Sequence, residues 1–372
     1  MKKSQIAIFV SVALTILLLA HAVVYEALLV VFSVNSNLAL VILKVLVVGL
    51  PVVFISTVFL VSRFNNFFTR TFYPLIASWM GFLLYFFLVS CVLGFVSFFT
   101  ENLHILGQIL FSLAVLIGIY GVIHEKQTKI VQVEIKLPKL PAFWQGKKIL
   151  FVSDLHLGQI HGQKFTEKVA RKIKAINPDI IFIGGDLYDG VSVDRRKIIE
   201  PLNQLKPALG MYFVTGNHDG FTEEGTEQDI QAINQTEIKV LRNEMVNIHD
   251  LQIIGVNYRD TTDRRKLSEI LDSLNIDPQK SSILLKHVPD HIDVVTEKGI
   301  SLVLCGHTHR AQLWPLRFIP KLIYRNFDYG LKSSGNTQVH TSSGVGTWGP
   351  PLRVGTNSEI LVISLTASSF VV

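Results

Sequence analysis

Cysteine is scarce in this chain: Cys91 and Cys305 are the only two among 372 residues. One lies in an apolar run and the other in a strand-like segment, which argues against a disulfide framework. Such usage suits a reducing compartment. Charge is scarce too, at 17% of residues, and its distribution is uneven. Residues 1–124 hold Lys2, Lys3, Lys44, Arg63 and Arg70 against Glu26 and Glu101, so 5 − 2 = +3; residues 125–372 hold 30 basic and 27 acidic residues, again +3. There is no dense basic stripe, so no nucleic-acid partner is expected. Internal repeats and low-complexity tracts are missing as well.

Long apolar runs fill the first third instead. Four of them, roughly 5–33, 38–62, 74–98 and 103–123, reach the ~20 residues needed to cross ~30 Å of hydrocarbon. Four core helices of a soluble protein would not come with so few acidic residues. Lys2 and Lys3 precede the first run, Arg63 and Arg70 separate the second from the third, and Lys126 and Lys129 follow the fourth. The other two connections carry no Lys or Arg. The positive-inside rule then predicts an integral membrane protein of four spans, with both termini and the C-terminal domain in the cytoplasm. Ala20-His21-Ala22 resembles a signal-peptidase site, yet the apolar run continues to Phe32. His21, Glu26 and Lys44 lie in or near spans, where snorkelling or an interfacial place accounts for them better than a transport pathway.

Composition changes over residues 129–147, where KIVQVEIKL alternates like a strand. The expected division is a membrane domain over 1–124, a linker and first strand over 125–145, and a catalytic-type domain over 146–372. In that last part, short β-rich runs end repeatedly in polar residues. KKILFVSDLH ends in Asp154 and His156, and PDIIFIGGDLYD in Asp186 and Asp189. GMYFVTGNHD ends in Asn217, His218 and Asp219, SSILLKHVPD runs through His287, and ISLVLCGHTH ends in His307 and His309. Helical spacing lies between some of them: Phe165, Val169, Ile173 and Ile176 recur over 164–176. Strands alternating with helices predict an α/β arrangement whose ligands gather at strand C-terminal ends. A single Asp after a strand is usually a turn or cap; five such ends in order are not.

Mixed Asp, Asn and His donors suit Mn, Fe, Zn or Co. The set is too rich in His for a dedicated Ca or Mg site, and too large for one tetrahedral zinc. Two divalent ions close together are the usual device for phosphoester hydrolysis. The ordered motifs DLH, GDLYD, GNHD, KHVPD and GHTH resemble the calcineurin-like metallophosphoesterase family over about residues 146–368, and SSGVGTWGPPLR, Ser342 to Arg353, resembles its membrane-associated bacterial members. The resemblance implies a two-sheet β-sandwich flanked by helices. It implies that Asp154, His156 and His309 hold one metal, that Asn217, His287 and His307 hold the other, and that Asp186 bridges them. It further implies hydrolysis of a phosphomono- or phosphodiester by metal-hydroxide attack, with His218 as general acid. Asp219 is then a candidate to orient His218, and Asp189 a candidate for indirect support, with capping as the competing role of both. Gly184, Gly185, Gly216 and Gly306 fit close backbone approach to metal or phosphate. Arg310 replaces a common glycine, and Lys286 a common small polar residue.

After the last motif, Ala311 to Lys332 mixes Trp314, Phe318, Ile319, Leu322, Ile323 and Tyr324 with Arg317, Lys321 and Arg325. Apolar and basic residues interleaved in this way suit an anionic lipid surface, and a phospholipid or lipid-linked phosphate is a substrate that would approach from it. Packing of this loop against the protein itself is the competing reading. The alternative function is a transporter or membrane scaffold whose soluble domain binds metal but is catalytically silent. A nuclease is a third reading, disfavoured by the near-neutral soluble part.

Overall fold

The structure, a computed structural model, describes residues 3–220 and 223–367; Lys2 and positions 368–372 lie outside the described residues. The chain forms two compact units. One comprises Met1–His124 with Gly349–Val354, and the other comprises Glu125–Trp348 with Gly355–Val372.

The first unit holds four helices: α1 (Lys3–Phe32), α2 (Asn37–Arg63), α3 (Phe67–Val96) and α4 (His104–Glu125). All four are long and apolar enough to cross a membrane, as an integral membrane protein requires. The third begins earlier than its apolar run because Asn66 and Thr69 cap each other reciprocally across its first turn. Val24, Val31, Leu83, Leu93 and Phe111 pack together in the bundle. His21 is a buried joint between α1 and α3. Its Nδ1 lies 2.8 Å from the Leu17 carbonyl, which leaves Nε2 to accept from Trp79 Nε1 at 3.0 Å. The segment Gly349–Val354, which holds the last five residues of the SSGVGTWGPPLR stretch and Val354, belongs to this unit. Arg353 N donates to the Gly121 carbonyl at 3.0 Å, and a Cβ at Gly81 would stand 2.9 Å from the Leu352 side chain.

The second unit carries twelve strands: β1 Thr128–Leu137, β2 Lys148–Val152, β3 Ile180–Ile183, β4 Met211–Phe213, β5 Ile238–Val240, β6 Glu244–Ile248, β7 Leu251–Gly255, β8 Ser282–Leu285, β9 Leu302–Cys305, β10 Gly330–Ser334, β11 Thr337–Thr341 and β12 Ser358–Ala367. They make two six-stranded sheets, ordered β1-β12-β2-β3-β4-β5 and β10-β11-β9-β8-β7-β6. Both sheets are mixed. Strand residues alternate between two apolar environments. Ile149, Phe151, Ile180 and Phe182 of the first sheet meet Ile253, Ile283, Leu285, Leu302 and Leu304 of the second. The outward residues Leu150, Val152, Ile181 and Ile183 pack under Val169 and Ile173 of the helix Gln163–Ile176. On the other side Leu284, Val303 and Cys305 pack under Leu267, Leu271, Val294 and Val295. The layers therefore run helix, sheet, sheet, helix, the predicted sandwich.

Two features differ from the expected pattern. Gly330–Lys332, the end of the Ala311–Lys332 stretch, opens the hairpin β10–β11 around the two-residue loop Gly335-Asn336. Within the remainder, Phe318–Ile323 forms a short helix.

Candidate metal centre

The β2, β3, β4, β8 and β9 exits all deliver polar side chains to one crevice. Their backbones turn sharply to do so. Asp154, His156, Asp186, His307 and His309 have φ of 54°, 48°, 50°, 72° and 47°, a left-handed region that non-glycine residues enter at a cost and that gathers at functional sites. Hydrogen bonds hold the turns. Asp154 N donates to the Gly185 carbonyl at 2.9 Å and His156 N to the Asp186 carbonyl at 3.0 Å. The Asp154 carboxylate accepts from His307 N at 2.9 Å. Two glycines make room: a Cβ at Gly216 would stand 2.2 Å from Asp186 Oδ1, and one at Gly306 2.3 Å from Asp154 Oδ2. The close approach is thus to the acidic side chains themselves.

Among the described residues three clusters of possible metal donors form; two consist wholly of predicted ligands, Asp154–His156–His309 and Asp186–His287–His307, and the third is His156–Asp189–His218. In the first, His156 Nε2 and His309 Nε2 face each other at 3.0 Å, and His309 Nε2 is 3.5 Å from Asp154 Oδ1. In the second, Asn217 Oδ1 lies 3.1 Å from His287 Nε2 and 2.7 Å from His307 Nδ1. Asp186 Oδ2 stands between the two, 3.2 Å from His287 Nε2 and 3.8 Å from His156 Nε2. All seven predicted ligands therefore meet in one crevice.

This donor set fits divalent cations. His156 Nδ1 donates to Asp189 Oδ1 at 3.0 Å and His287 Nδ1 to the Gly184 carbonyl at 2.8 Å. Each ring is thereby fixed with its Nε2 lone pair toward the crevice, the usual support of a metal-ligating histidine. Electrostatics agree. Burial alone would lower the His287 pKa, but Asp186 and Asp154 raise it to about 9. The buried carboxylates call for positive charge beside them. Burial pushes His307 down to about 3, keeping its imidazole neutral.

His218 lies at the rim, its Nδ1 3.5 Å from Asp189 Oδ1, and its backbone N donates to Asp186 Oδ1 at 2.7 Å. Burial lowers its pKa, but Asp189 and Asp186 outweigh that and raise it. The expected contact from Asp219 to His218 is not formed. Asp219 instead accepts from Gly216 N at 2.7 Å, Asp186 N at 2.8 Å and Tyr188 N at 3.0 Å. It staples the β3 exit to the β4 exit, with two backbone donors on Oδ2 and one on Oδ1. Burial, then the nearby Asp186, raise its pKa to about 7. The carboxylate beside both His156 and His218 belongs to Asp189.

Sequence reasoning also passed over two supports and singled out a third, Lys286, without a role. Glu359, buried in β12, accepts from Ser342 Oγ at 2.9 Å and Ser343 N at 3.0 Å, fixing the loop whose Gly346 N reaches the Asp154 carbonyl. Gln312 and Trp348 exchange two hydrogen bonds, of 3.2 and 3.0 Å. Lys286 is fully buried, donating to the Val288 carbonyl at 2.7 Å and pairing with Asp290, which locks the turn after His287.

The residues matched by the calcineurin-like phosphoesterase model are 147–311. A metallophosphoesterase from Aquifex aeolicus is 31% identical over 264 residues, 68% of this chain and 97% of that protein. The chain belongs to the calcineurin-like phosphoesterase family. Two further relatives match, one of them named for a transmembrane part. A transmembrane protein with metallophosphoesterase domain from Danio rerio is 34% identical over 267 residues, 67% of this chain and 60% of that protein. A metallophosphoesterase from Campylobacter jejuni is 28% identical over 327 residues, 83% of this chain and 86% of that one. The chain thus spans about three fifths of the zebrafish relative's length. What the calcineurin-like domain presents beside its metal clusters is a cavity of about 340 Å³. His218 and the ligand histidines line one side, and Leu316, Ile319, Ile323, Tyr324 and Trp348 line the other.

Proposed function

We propose that this chain is a membrane-anchored, metal-dependent phosphoesterase acting on an amphiphilic phosphomono- or phosphodiester. The observation that carries the reading is the pair of donor clusters meeting at Asp186 in a cavity with one polar and one apolar wall. Asp154, His156 and His309 would hold one ion, Asn217, His287 and His307 the other, and Asp186 both. Bound there, two divalent ions would supply Lewis-acid polarisation of the phosphoryl oxygens and acidification of water. The protein residues do the rest. Asp189 orients His156 and faces His218 Nδ1, which leaves His218 Nε2 as the position that delivers a proton to the leaving oxygen. Asp219 keeps the β3 and β4 exits at a fixed separation. The apolar wall receives an acyl or isoprenoid-type portion of the substrate and keeps water from it. Basic residues flanking the spans support a cytoplasmic catalytic domain.

One assay tests chemistry and side together. The full chain in detergent is stripped with EDTA, resupplied with Mn, Zn, Fe or Co, and given a chromogenic phosphodiester beside a His218→Asn variant. Activity returns with metal and falls ~100-fold or more in the variant. With a membrane-impermeant substrate, inverted vesicles hydrolyse it and right-side-out vesicles do so only after permeabilisation. Metal binding without hydrolysis would move the reading to a silent scaffold.

A further inference from the structure

A second cavity of about 340 Å³, distinct from the metal cleft, is lined by Arg310, Arg317, Lys321 and Lys332 with Asp328 as its one carboxylate. Four cations and one anion leave a local charge of +3. Elsewhere this part of the chain is close to neutral, with 30 basic against 27 acidic residues over 125–372. Among the described residues none of the four cations has an ion-pair partner. Like charges gathered in a concavity repel one another, and an anion entering between them relieves that repulsion while meeting several donors at once.

The cavity is also anchored to the catalytic framework. Arg310 follows His309 directly, and its guanidinium lies 4.4 Å from the centre of the Tyr329 ring. The Tyr329 hydroxyl donates to Glu359 Oε2 at 3.0 Å, the same carboxylate that fixes Ser342 and Ser343 beside the metal centre. The helix Phe318–Ile323 divides the two cavities. Phe318 and Lys321, one turn apart, line the basic one, while Ile319, Pro320 and Ile323 line the metal cleft. A short helix is about 10 Å across with its side chains, which sets the scale separating the two cavities.

We infer that the basic cavity is a second anion site, taking a phosphate-type oxyanion while the scissile ester occupies the metal cleft. The inference rests on the phosphoesterase reading for its purpose, though not for its binding. Two sources share the chemistry: the headgroup of an anionic membrane lipid, and a second phosphate on the substrate itself.

The test uses the full chain in neutral detergent micelles with EDTA present, so that no metal competes for the probe. Inorganic pyrophosphate is titrated by calorimetry into the wild type and into Arg310→Gln/Lys321→Gln. Wild type binds saturably and the variant at least ~10-fold more weakly, the scale expected for losing charge-assisted contacts. Should the double variant melt early, Lys321→Glu, at an exposed position, gives the same comparison. Doping the micelles with phosphatidylglycerol, against phosphatidylcholine, separates the sources. Competition by the anionic lipid alone assigns a headgroup, and undiminished pyrophosphate binding assigns a second substrate phosphate. Equal binding by wild type and variants, or no saturation by about 10 mM, overturns the site. Metal-restored hydrolysis of the small chromogenic diester is untouched by that result, so the two readings fail separately.

Discussion

The two walls of the metal cleft are built in opposite ways. On the ligand wall, Asp154, His156, Asp186 and His287 are at most 2% exposed, and each is held by hydrogen bonds within two packed sheets. On the facing wall, Ile319 and Ile323 are 52% and 63% exposed, on a six-residue helix broken into by Pro320. The contrast separates two requirements. Phosphoryl chemistry demands donors fixed to fractions of an ångström, so the chain accepts left-handed backbone at five of seven ligand positions. On the proposed reading the facing wall receives a flexible apolar group, which asks only for area and plasticity, as a short exposed helix supplies.

Two variants probe this contrast and a third lies outside it, in descending order of effect on catalysis. Asp189→Asn removes the anchor of His156 and the carboxylate facing His218. It should lower kcat/KM by ~10–100-fold and loosen metal retention, measured by activity and by metal content after dialysis. An unchanged enzyme would mean the ligand wall does not depend on its supports. On the opposite wall, Ile319→Asn/Ile323→Asn should spare metal content but cut kcat/KM about tenfold for a long-chain phosphoester relative to a short-chain one, given the ~1.5–3 kcal/mol of burying such a side chain. Equal losses for both substrates would make the wall structural. The smallest effect on catalysis is expected at His340, a buried imidazole in β11 that belongs to neither wall and acts on acid stability instead. Burial holds its pKa near 4, below its ordinary 6.5. It therefore contributes stability that is intact above pH ~6.5 and disappears as pH falls toward 4, up to roughly 3 kcal/mol. His340→Asn should flatten that part of the acid melting curve, read by Tm against pH in detergent.

The same contrast explains how much could be read from the chain. Ligands placed directly after β2, β3, β4, β8 and β9 are visible because each strand is a short β-rich apolar run and each motif is local. The four spans are visible because hydropathy needs no partner. For Asp219 the sequence left open a partner in His218 or a capping role, and only the fold decides for the second, placing it on three backbone N–H groups while Asp189 supports the histidines. Glu359 stands more than two hundred residues from Asp154, and nothing local ties them. Lys286 looks anomalous until Asp290, one turn of chain later, is placed against it. The hairpin Gly330–Thr341 has polar strands and little alternation, so its Gly-Asn turn was the sole cue.

One feature bears on how such a molecule can be inherited. Gly349–Val354 belongs to the helical unit, while the residues before and after it belong to the sheets. The polypeptide therefore passes between the units three times, after His124, after Trp348 and after Val354. A single recombination breakpoint cannot exchange one unit and leave the other whole. A foreign helical bundle would need sockets matching Gly81 and Gly121 to accept Leu352 and Arg353. The pair is expected to diverge as one lineage, with substitutions in the socket and in the GPPLRV segment arising together.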